Sequence, residues 1–333
     1  MKRHIRFIGL LIAIMVVFLV PTFAIAIDEE VFNDSFCQPF NPNPKRPFGL
    51  RELAYLDDVF YGYLGNAIYT WKPSDALPTK FCTIPTVPDW KEEWRGKALK
   101  DISAEDQTAL SSAVEYIAEG DGALWGYNTL SGKIGKISQQ GISWAAQTID
   151  TSCLFQDGSF MLSVVPIQSF VDNGKLYVFG DDNEYIVSVS DPMALLSFDM
   201  SNGESNVLKT NTAINCCRYK PGYFLLLRRG DSSSMILSTL NMKTGTIEDL
   251  SLTVPFPDYT DEGLESVGGV AYDSKSDQVF FSMKSQVWKS TGGEPFQSVN
   301  KLPMDTDYRM RAWVLQDGRY ALLSRSLWIR DVE

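Results

Sequence analysis

The chain of 333 residues carries 41 acidic and 30 basic residues, which gives a formal net charge of −11. A surface this negative repels the phosphates of nucleic acid and anionic lipid head groups, so neither is an expected partner. The single histidine, His4, lies near the N-terminus. The rest of the chain therefore cannot hold a histidine-dependent catalytic triad, a histidine metal site or a histidine general base.

The N-terminal residues have the pattern of a secretory signal peptide. A basic region, Lys2 to Arg6, precedes an apolar run over residues 7–20, and Ala24-Ile25-Ala26 fits a small-residue cleavage site. The alternative is an uncleaved membrane anchor, because residues 7–27 are just long enough to cross a bilayer. The prediction is a signal peptide over residues 1–26 and a single exported domain over residues 27–333, secreted or in the cell envelope. Cleavage would lower the net charge to −14, because the removed peptide carries three basic residues and no acid.

A short phrase recurs along the exported part: an apolar or aromatic residue, four further residues and a turn glycine. It occurs at Tyr127 to Gly132, Phe198 to Gly203, Leu240 to Gly245 and Trp288 to Gly293. The last three glycines are 42 and 48 residues apart, which is the length of one propeller blade of four strands. The phrase therefore predicts an all-β propeller built from four-stranded antiparallel meanders, whose strands we label a to d in chain order.

Six positions are interpreted as equivalent sites on the third strand of a blade, namely Trp71, Tyr127, Phe198, Leu240, Trp288 and Trp328. They predict a six-bladed β-propeller. The 71-residue interval between Tyr127 and Phe198 leaves two alternatives open: a seventh blade around Ser143 to Val165, or a long insertion. The last repeat reaches Glu333 without a fourth strand, so residues 27–32 are expected to supply the missing outer strand.

Hairpin phrases such as Lys175-Leu176-Tyr177-Val178 and Leu196 to Gly203 resemble the extracellular bacterial β-propellers of the TolB-like and YVTN type, over about residues 50–333. The resemblance implies the fold alone. Turn glycines and strand aromatics are needed by any propeller, so no site residue is carried over from these families.

The cysteines are interpreted as structural. None has metal-ligand or redox spacing, and their odd number leaves at least one without an intramolecular partner. A disulfide between Cys37 and Cys82 stays open, and Cys216-Cys217 falls in a strand-like run. The five are Cys37, Cys82, Cys153, Cys216 and Cys217. No metal site and no cofactor is predicted.

The candidate site lies on the face formed by the b–c and d–a connections, because these connections emerge on the same side of a propeller. Three long insertions fall there, at Thr86 to Gln107, Gly180 to Met193 and Pro255 to Gly263, and they combine aromatic and acidic residues. The candidate ligand-binding residues are Trp90, Trp94, Asp181, Asp182, Glu184, Tyr185, Asp258, Tyr259, Asp261, Glu262, Asp305 and Asp307.

Aromatic rings beside carboxylates suit a carbohydrate or a protein or peptide partner, since rings stack on apolar patches and carboxylates accept hydroxyl or ammonium hydrogens. Trp90 and Trp94 have a second interpretation, as the inward face of a short helix that lies on the propeller. Trp71, Trp288 and Trp328 are interpreted as packing residues of the blades.

These patterns predict a monomeric, non-catalytic propeller that binds a ligand or protein partner outside the cytoplasm and contacts a membrane only if the N-terminal segment stays uncleaved. One alternative is a carbohydrate-active enzyme, a glycosidase or lyase, that uses a pair of Asp or Glu residues. Another is an accessory propeller of a solute-uptake or envelope complex. Two acids facing each other across the central channel would favour the enzyme.

Overall fold

The computed structural model describes residues 53–75, 78–88, 91–94, 97, 99–155, 164–182, 194–208, 213–229, 235–254, 267–283, 286–301, 311–323 and 327–330. Within them the chain forms six consecutive antiparallel meanders. The first contains β1 (Leu53–Leu56), β2 (Val59–Leu64), β3 (Ala67–Trp71) and β4 (Thr79–Thr83); the second contains β5 (Tyr116–Gly120), β6 (Ala123–Tyr127), β7 (Ile134–Ser138) and β8 (Gly141–Trp144).

The third and fourth meanders have the same order. The third contains β9 (Val164–Asp172), β10 (Lys175–Asp182), β11 (Ala194–Asp199) and β12 (Ser205–Leu208); the fourth contains β13 (Ala213–Arg218), β14 (Tyr223–Arg229), β15 (Met235–Asn241) and β16 (Ile247–Thr253). The fifth contains β17 (Val267–Asp273), β18 (Gln278–Met283), β19 (Gln286–Thr291) and β20 (Gln297–Lys301), and the sixth contains β21 (Arg311–Val314), β22 (Tyr320–Leu323) and β23 (Leu327–Arg330).

Apolar clusters fill the spaces between neighbouring sheets. Each sheet packs against the next in chain order, from the first to the sixth. The sixth packs back on the first, where the ring of Phe60 meets the edge of Trp313 at 5.6 Å between centroids. The meanders therefore form a closed ring, which is the arrangement of a β-propeller. The predicted all-β propeller fold is confirmed.

The first strand of each meander lies nearest the centre of this ring. Strands β5 and β9 come close enough to pair in parallel through Glu119 with Phe170 and Gly120 with Val171. This pairing joins the second and third meanders into one eight-stranded sheet. Because the first strands of neighbouring meanders run in the same direction, their carboxyl ends meet on one side of the ring.

One α-helix, α1 (Ala104–Ser112), lies in the connection between β4 and β5 and was not predicted from the sequence. Its first turn is capped by Ser103, whose hydroxyl accepts the backbone N–H of Asp106 at 3.1 Å. Short 3-10 helices span Glu92–Trp94, Leu99–Asp101 and Ser152–Leu154. No helix among the described residues is long and apolar enough to cross a membrane.

The structure corrects one of the six equivalent positions. Tyr127 ends β6, the second strand of its meander, whereas Trp71, Phe198, Leu240, Trp288 and Trp328 lie in third strands as predicted. In the second meander the repeated phrase therefore follows the second strand, between β6 and β7, whereas in the other meanders that contain it the phrase follows the third strand. This explains the 71-residue interval, since two further strands of the same meander, β7 and β8, follow Tyr127 before the third meander begins.

The predicted seventh blade around Ser143 to Val165 coincides with the end of one meander and the start of the next. Ser143 lies in β8 and Val165 in β9, and residues 145–155 between them contain one 3-10 helix. Residues 156–163 lie outside the described part. The described residues thus give six meanders, and the blade count itself stays a prediction.

Two further expectations concern residues that the structure does not describe. The last sheet has three strands in the described residues, and residues 27–32, expected to complete it, lie outside them. The partner proposed for Cys82, Cys37, also lies outside. Cys216 and Cys217 occupy β13 as expected and face opposite sides of the sheet, so each packs in a different apolar cluster.

Candidate functional site

A pocket lies at the centre of the ring, where the carboxyl-terminal halves of five first strands meet. Its volume is about 140 Å³. We call it the axial pocket. It is lined by Glu119 of β5, Gln168 and Phe170 of β9, Cys217 and Arg218 of β13, Ala271 and Tyr272 of β17, and Arg311, Ala312, Trp313 and Val314 of β21.

Glu119 lies at the inner end of the axial pocket with 7% of its surface exposed. Its Oε2 accepts the backbone N–H of Tyr55 at 2.6 Å, and its Oε1 accepts the indole N–H of Trp313 at 3.3 Å. Burial raises the pKa of the Glu119 carboxyl, while the nearby Arg311 charge and these donors act in the opposite direction. The carboxylate is therefore held in place by groups from the first and last sheets.

Arg311 is the partner of Glu119 and is almost completely buried. Its side chain is 3% exposed, and its Nη2 lies 3.7 Å from Oε2 of Glu119. Its Nη1 donates to the backbone carbonyl of Leu53. Burial lowers the pKa of the Arg311 guanidinium, and Glu119 opposes that shift. The two charges compensate each other inside the ring and join β5, β21 and β1.

Arg218 supplies a second guanidinium nearer the mouth of the axial pocket, with 39% of its side chain exposed. Its Nη2 donates to the backbone carbonyl of Val171 and lies 4.0 Å from the carboxylate of Asp172. The ring of Phe170 lies 5.9 Å from the guanidinium carbon. The Nε of Arg218 is buried and has no hydrogen-bond acceptor among the described residues. A buried donor of this kind is uncommon in folded proteins.

Three lining residues that are partly exposed, Arg218, Tyr272 and Val314, lie at or next to the carboxyl ends of their strands. The mouth of the pocket is therefore on the side of the ring where each first strand turns into the second, which we call the turn face. It is formed by residues 57–58, 121–122, 173–174, 219–222, 274–277 and 315–319. Neighbouring turns are tied together, because the Asp121 carboxylate accepts the backbone N–H groups of Asn173 at 3.0 Å and Gly174 at 2.9 Å. Lys220 and Asp277 form a further link at 3.5 Å. These links hold neighbouring turns of the turn face together.

Tyr272 forms part of the rim. Its hydroxyl donates to the carboxylate of Asp277 at 2.7 Å, and its ring packs on Tyr219 with 4.4 Å between centroids. Burial together with the hydrogen bond to Asp277 raises the pKa of the Tyr272 phenol. The hydroxyl therefore stays protonated at neutral pH and its hydrogen is used by Asp277. A ligand in the pocket would contact the ring of Tyr272.

Most of the residues predicted as a site from the sequence lie outside the part of the chain that the structure describes, so the site prediction stays a prediction. Residues 183–193 join strands b and c of the third meander, and residues 255–266 and 302–310 join successive meanders. The candidate residues in these segments and Trp90 lie outside the described residues; they are Trp90, Glu184, Tyr185, Asp258, Tyr259, Asp261, Glu262, Asp305 and Asp307. Asp181 and Asp182 end β10, in register with Val165 and Val164 of β9.

Trp94 is described and its ring is 2% exposed. Its indole N–H donates to the Asp106 carboxylate at 3.3 Å, and Lys91 donates to the same carboxylate at 2.6 Å. Ile102 and Leu110 pack around the ring. The alternative interpretation, a tryptophan facing inward from a short helical turn, therefore describes Trp94 better than a ligand-binding role does.

The three charged residues of the axial pocket were not among the candidates. Glu119, Arg218 and Arg311 each belong to a first strand whose other residues are almost all apolar. A charged residue in an otherwise buried strand is rare unless it is paired or functional. That signal was present in the sequence, but the first strands had to be recognised as neighbours before the three charges could be placed together.

Comparisons with known proteins find structural likeness at low sequence identity. A gluconolactonase from Xanthomonas campestris is 8% identical, with 84% of this chain and 87% of that chain covered and a TM-score of 0.47. A putative gluconolactonase gives 12% identity, 85% and 90% coverage and a TM-score of 0.48. A putative TolB from Agrobacterium tumefaciens gives 11% identity, 65% and 70% coverage and a TM-score of 0.38.

No protein-family model and no curated protein sequence matches the chain. At these TM-scores the structural neighbours carry no argument about activity. The function must therefore be inferred from the residues of the propeller itself.

Proposed function

We propose that this protein is an exported, non-catalytic β-propeller that binds a small molecule in the axial pocket. The observation that carries the proposal is a cavity at the centre of the ring whose wall combines apolar side chains with the partly exposed guanidinium of Arg218. Binding pockets combine apolar walls with a few fixed polar groups, and the axial pocket has this composition.

The arrangement of Glu119 favours binding over catalysis. Paired-carboxylate hydrolysis needs a second Asp or Glu on the other side of the scissile bond. Among the described residues that line the axial pocket, the group facing Glu119 is the Arg311 guanidinium. Glu119 accepts hydrogen bonds through both oxygens, so its role is to hold Arg311 and Trp313 in place.

The volume sets the size of the ligand. A cavity of about 150 Å³ accommodates a molecule the size of benzene, and the axial pocket has a volume of about 140 Å³. We therefore expect a ligand whose buried part is about the size of one six-membered ring, or one such group of a larger molecule that stays outside the turn face.

Three ring compounds of equal size and different charge test this proposal: benzoate, benzyl alcohol and benzylamine. We expect at least one to raise the melting temperature of the wild-type protein, because a ligand that binds only the folded state stabilises it. The variant Val314→Phe narrows the mouth of the axial pocket and is expected to abolish the shift. Val207→Phe is the matched control, since Val207 is 57% exposed on strand β12 and does not line the pocket.

The proposal fails if none of the three compounds stabilises the wild type, or if the shift persists unchanged in Val314→Phe. Isothermal titration calorimetry on the same proteins separates weak binding from none. If the rise in melting temperature were lost in Val207→Phe as well as in Val314→Phe, the loss would reflect a general loss of stability. That result would also contradict the proposal.

We also propose that residues 1–26 direct export and are removed, so that the mature protein begins at Ile27. Support comes from the basic start, the apolar run and the small residues at 24 and 26. N-terminal sequencing of exported protein tests this, and membrane-bound protein that retains His4 would contradict it. The b–c and d–a face stays a second candidate surface, for a carbohydrate or a protein partner.

A further inference from the structure

We propose that the ligand of the axial pocket is a small carboxylate with an apolar body, and that Arg218 recognises its carboxylate. This inference rests on the proposed function and adds the chemical class of the ligand. It follows from the positions of three charged residues and from the composition of the walls around them.

The first step is the balance of charge in the pocket. Glu119 and Arg311 compensate each other at 3.7 Å, and Arg311 is 3% exposed, so this pair offers no free charge to a ligand. Arg218 remains as a second cation in the wall. Its nearest carboxylate among the described ion pairs, Asp172, lies at 4.0 Å and does not line the pocket. The residues that line the pocket therefore carry one net positive charge, in a protein with a net charge of −11.

The second step is the free hydrogen-bonding capacity of Arg218. Its Nη2 donates to the carbonyl of Val171, and 39% of its side chain is exposed, so part of the guanidinium stays accessible to a ligand. A guanidinium presents N–H groups in a planar fork that matches the two oxygens of a carboxylate. Gln168, which is 4% exposed and lines the same pocket, adds an amide group that can donate to the same oxygens.

The third step is the position of the walls. The apolar lining includes Phe170, Ala271, Ala312 and Trp313, and Ala312 and Trp313 are at most 9% exposed. Arg218, with 39% of its side chain exposed, lies nearer the mouth than Arg311 does. A ligand would therefore place its hydrocarbon part inward and its carboxylate at Arg218. An inorganic oxyanion would leave this apolar surface without a partner, so we favour an organic carboxylate.

The probes are benzoate, benzyl alcohol, benzylamine and inorganic phosphate, titrated into the full chain by isothermal titration calorimetry. We expect benzoate to bind at least about tenfold more tightly than benzyl alcohol, because a hydrogen bond between two charged groups is stronger than one from a guanidinium to a neutral hydroxyl. Benzylamine and phosphate are expected to bind more weakly than benzoate. This comparison uses the wild-type protein alone and does not depend on the folding of a variant.

Variants of Arg218 then locate the recognition. Arg218→Gln is expected to weaken benzoate binding by about tenfold or more while leaving benzyl alcohol nearly unchanged. Arg218→Lys keeps the charge and loses the planar fork of N–H groups, so an intermediate loss is expected. Arg319→Gln is the matched control, because Arg319 lies in a turn of the same face, is 33% exposed and pairs with Asp317 outside the pocket. It should leave benzoate binding unchanged.

The outcomes separate this inference from the proposed function. Tighter binding of benzyl alcohol or benzylamine, lost in Val314→Phe, would overturn the carboxylate class and leave the axial pocket as the binding site. Binding of phosphate without benzoate would also overturn the carboxylate class. Benzoate binding that is equally reduced in Arg319→Gln and Arg218→Gln would assign the effect to general electrostatics and overturn the role of Arg218. Absence of binding by all of the ring compounds would overturn both proposals.

Discussion

Replacing Glu119 with Gln is expected to lower the free energy of unfolding by about 3–5 kcal/mol, which is the usual cost of breaking a buried ion pair from one side. The glutamine keeps the shape of the side chain and removes its charge, so Arg311, 3% exposed, loses the carboxylate charge that lies 3.7 Å from its guanidinium. Equilibrium unfolding in urea, followed by tryptophan fluorescence, measures the change.

Two further variants make this test specific. The double variant Glu119→Gln with Arg311→Met removes both charges and is expected to recover a large part of the loss, because an apolar replacement of a buried pair is often nearly neutral. Asp317→Asn breaks the exposed pair with Arg319 and should cost no more than about 1 kcal/mol. A Glu119→Gln variant that loses no more stability than Asp317→Asn would contradict the assignment of a buried, ionised pair.

Replacing Gly120 with Ala is expected to destabilise the protein by about 3 kcal/mol or more, because the close approach of β5 to β9 leaves no room for a side chain. A Cβ at this position would lie 1.8 Å from the carbonyl oxygen of Val171 and 2.3 Å from Nη2 of Arg218. The φ angle of Gly120, +145°, is also one that L-residues rarely adopt. The added methyl group should both separate the two strands and displace Arg218.

Gly122→Ala is the matched control for this prediction. Gly122 lies two residues away with φ +64°, and a Cβ there would have no neighbour within 4 Å. Its substitution carries the conformational cost alone, about 1–2 kcal/mol. Thermal and urea unfolding of both variants give the comparison. Equal losses in the two would mean that β5 and β9 are not in close contact at the centre of the ring.

Much of the fold could be predicted from the sequence because propeller blades repeat. Turn glycines at 203, 245 and 293 mark the ends of third strands at a regular interval, and this local signal does not depend on distant contacts. The prediction failed at Tyr127, where the same phrase follows a second strand. A turn motif indicates that a turn is present, but it does not indicate whether the second or the third strand of a meander precedes it. Only the pairing of β6 with β5 and β7 identifies β6 as a second strand.

The axial pocket could not be predicted in the same way, because its residues are far apart in the sequence. Glu119 and Arg311 are brought together by closure of the ring between the first and last sheets, and Arg218 of β13 is held beside them by its hydrogen bond to the Val171 carbonyl of β9. The sequence-based search favoured long polar insertions, where function is common. It gave less weight to single charges within apolar strands, which is where the described structure places the pocket.

Hydrogen–deuterium exchange tests the central claim, that the axial pocket binds a small ligand through the turn face, most directly. The protein is compared with and without whichever of benzoate, benzyl alcohol and benzylamine stabilises it most. We expect slower exchange in the turns at residues 219–222, 274–277 and 315–319, which surround the mouth of the pocket, and no change in residues 183–193 and 255–266. Protection confined to residues 183–193 and 255–266, with the turns unaffected, would contradict the account and place the ligand on the opposite face.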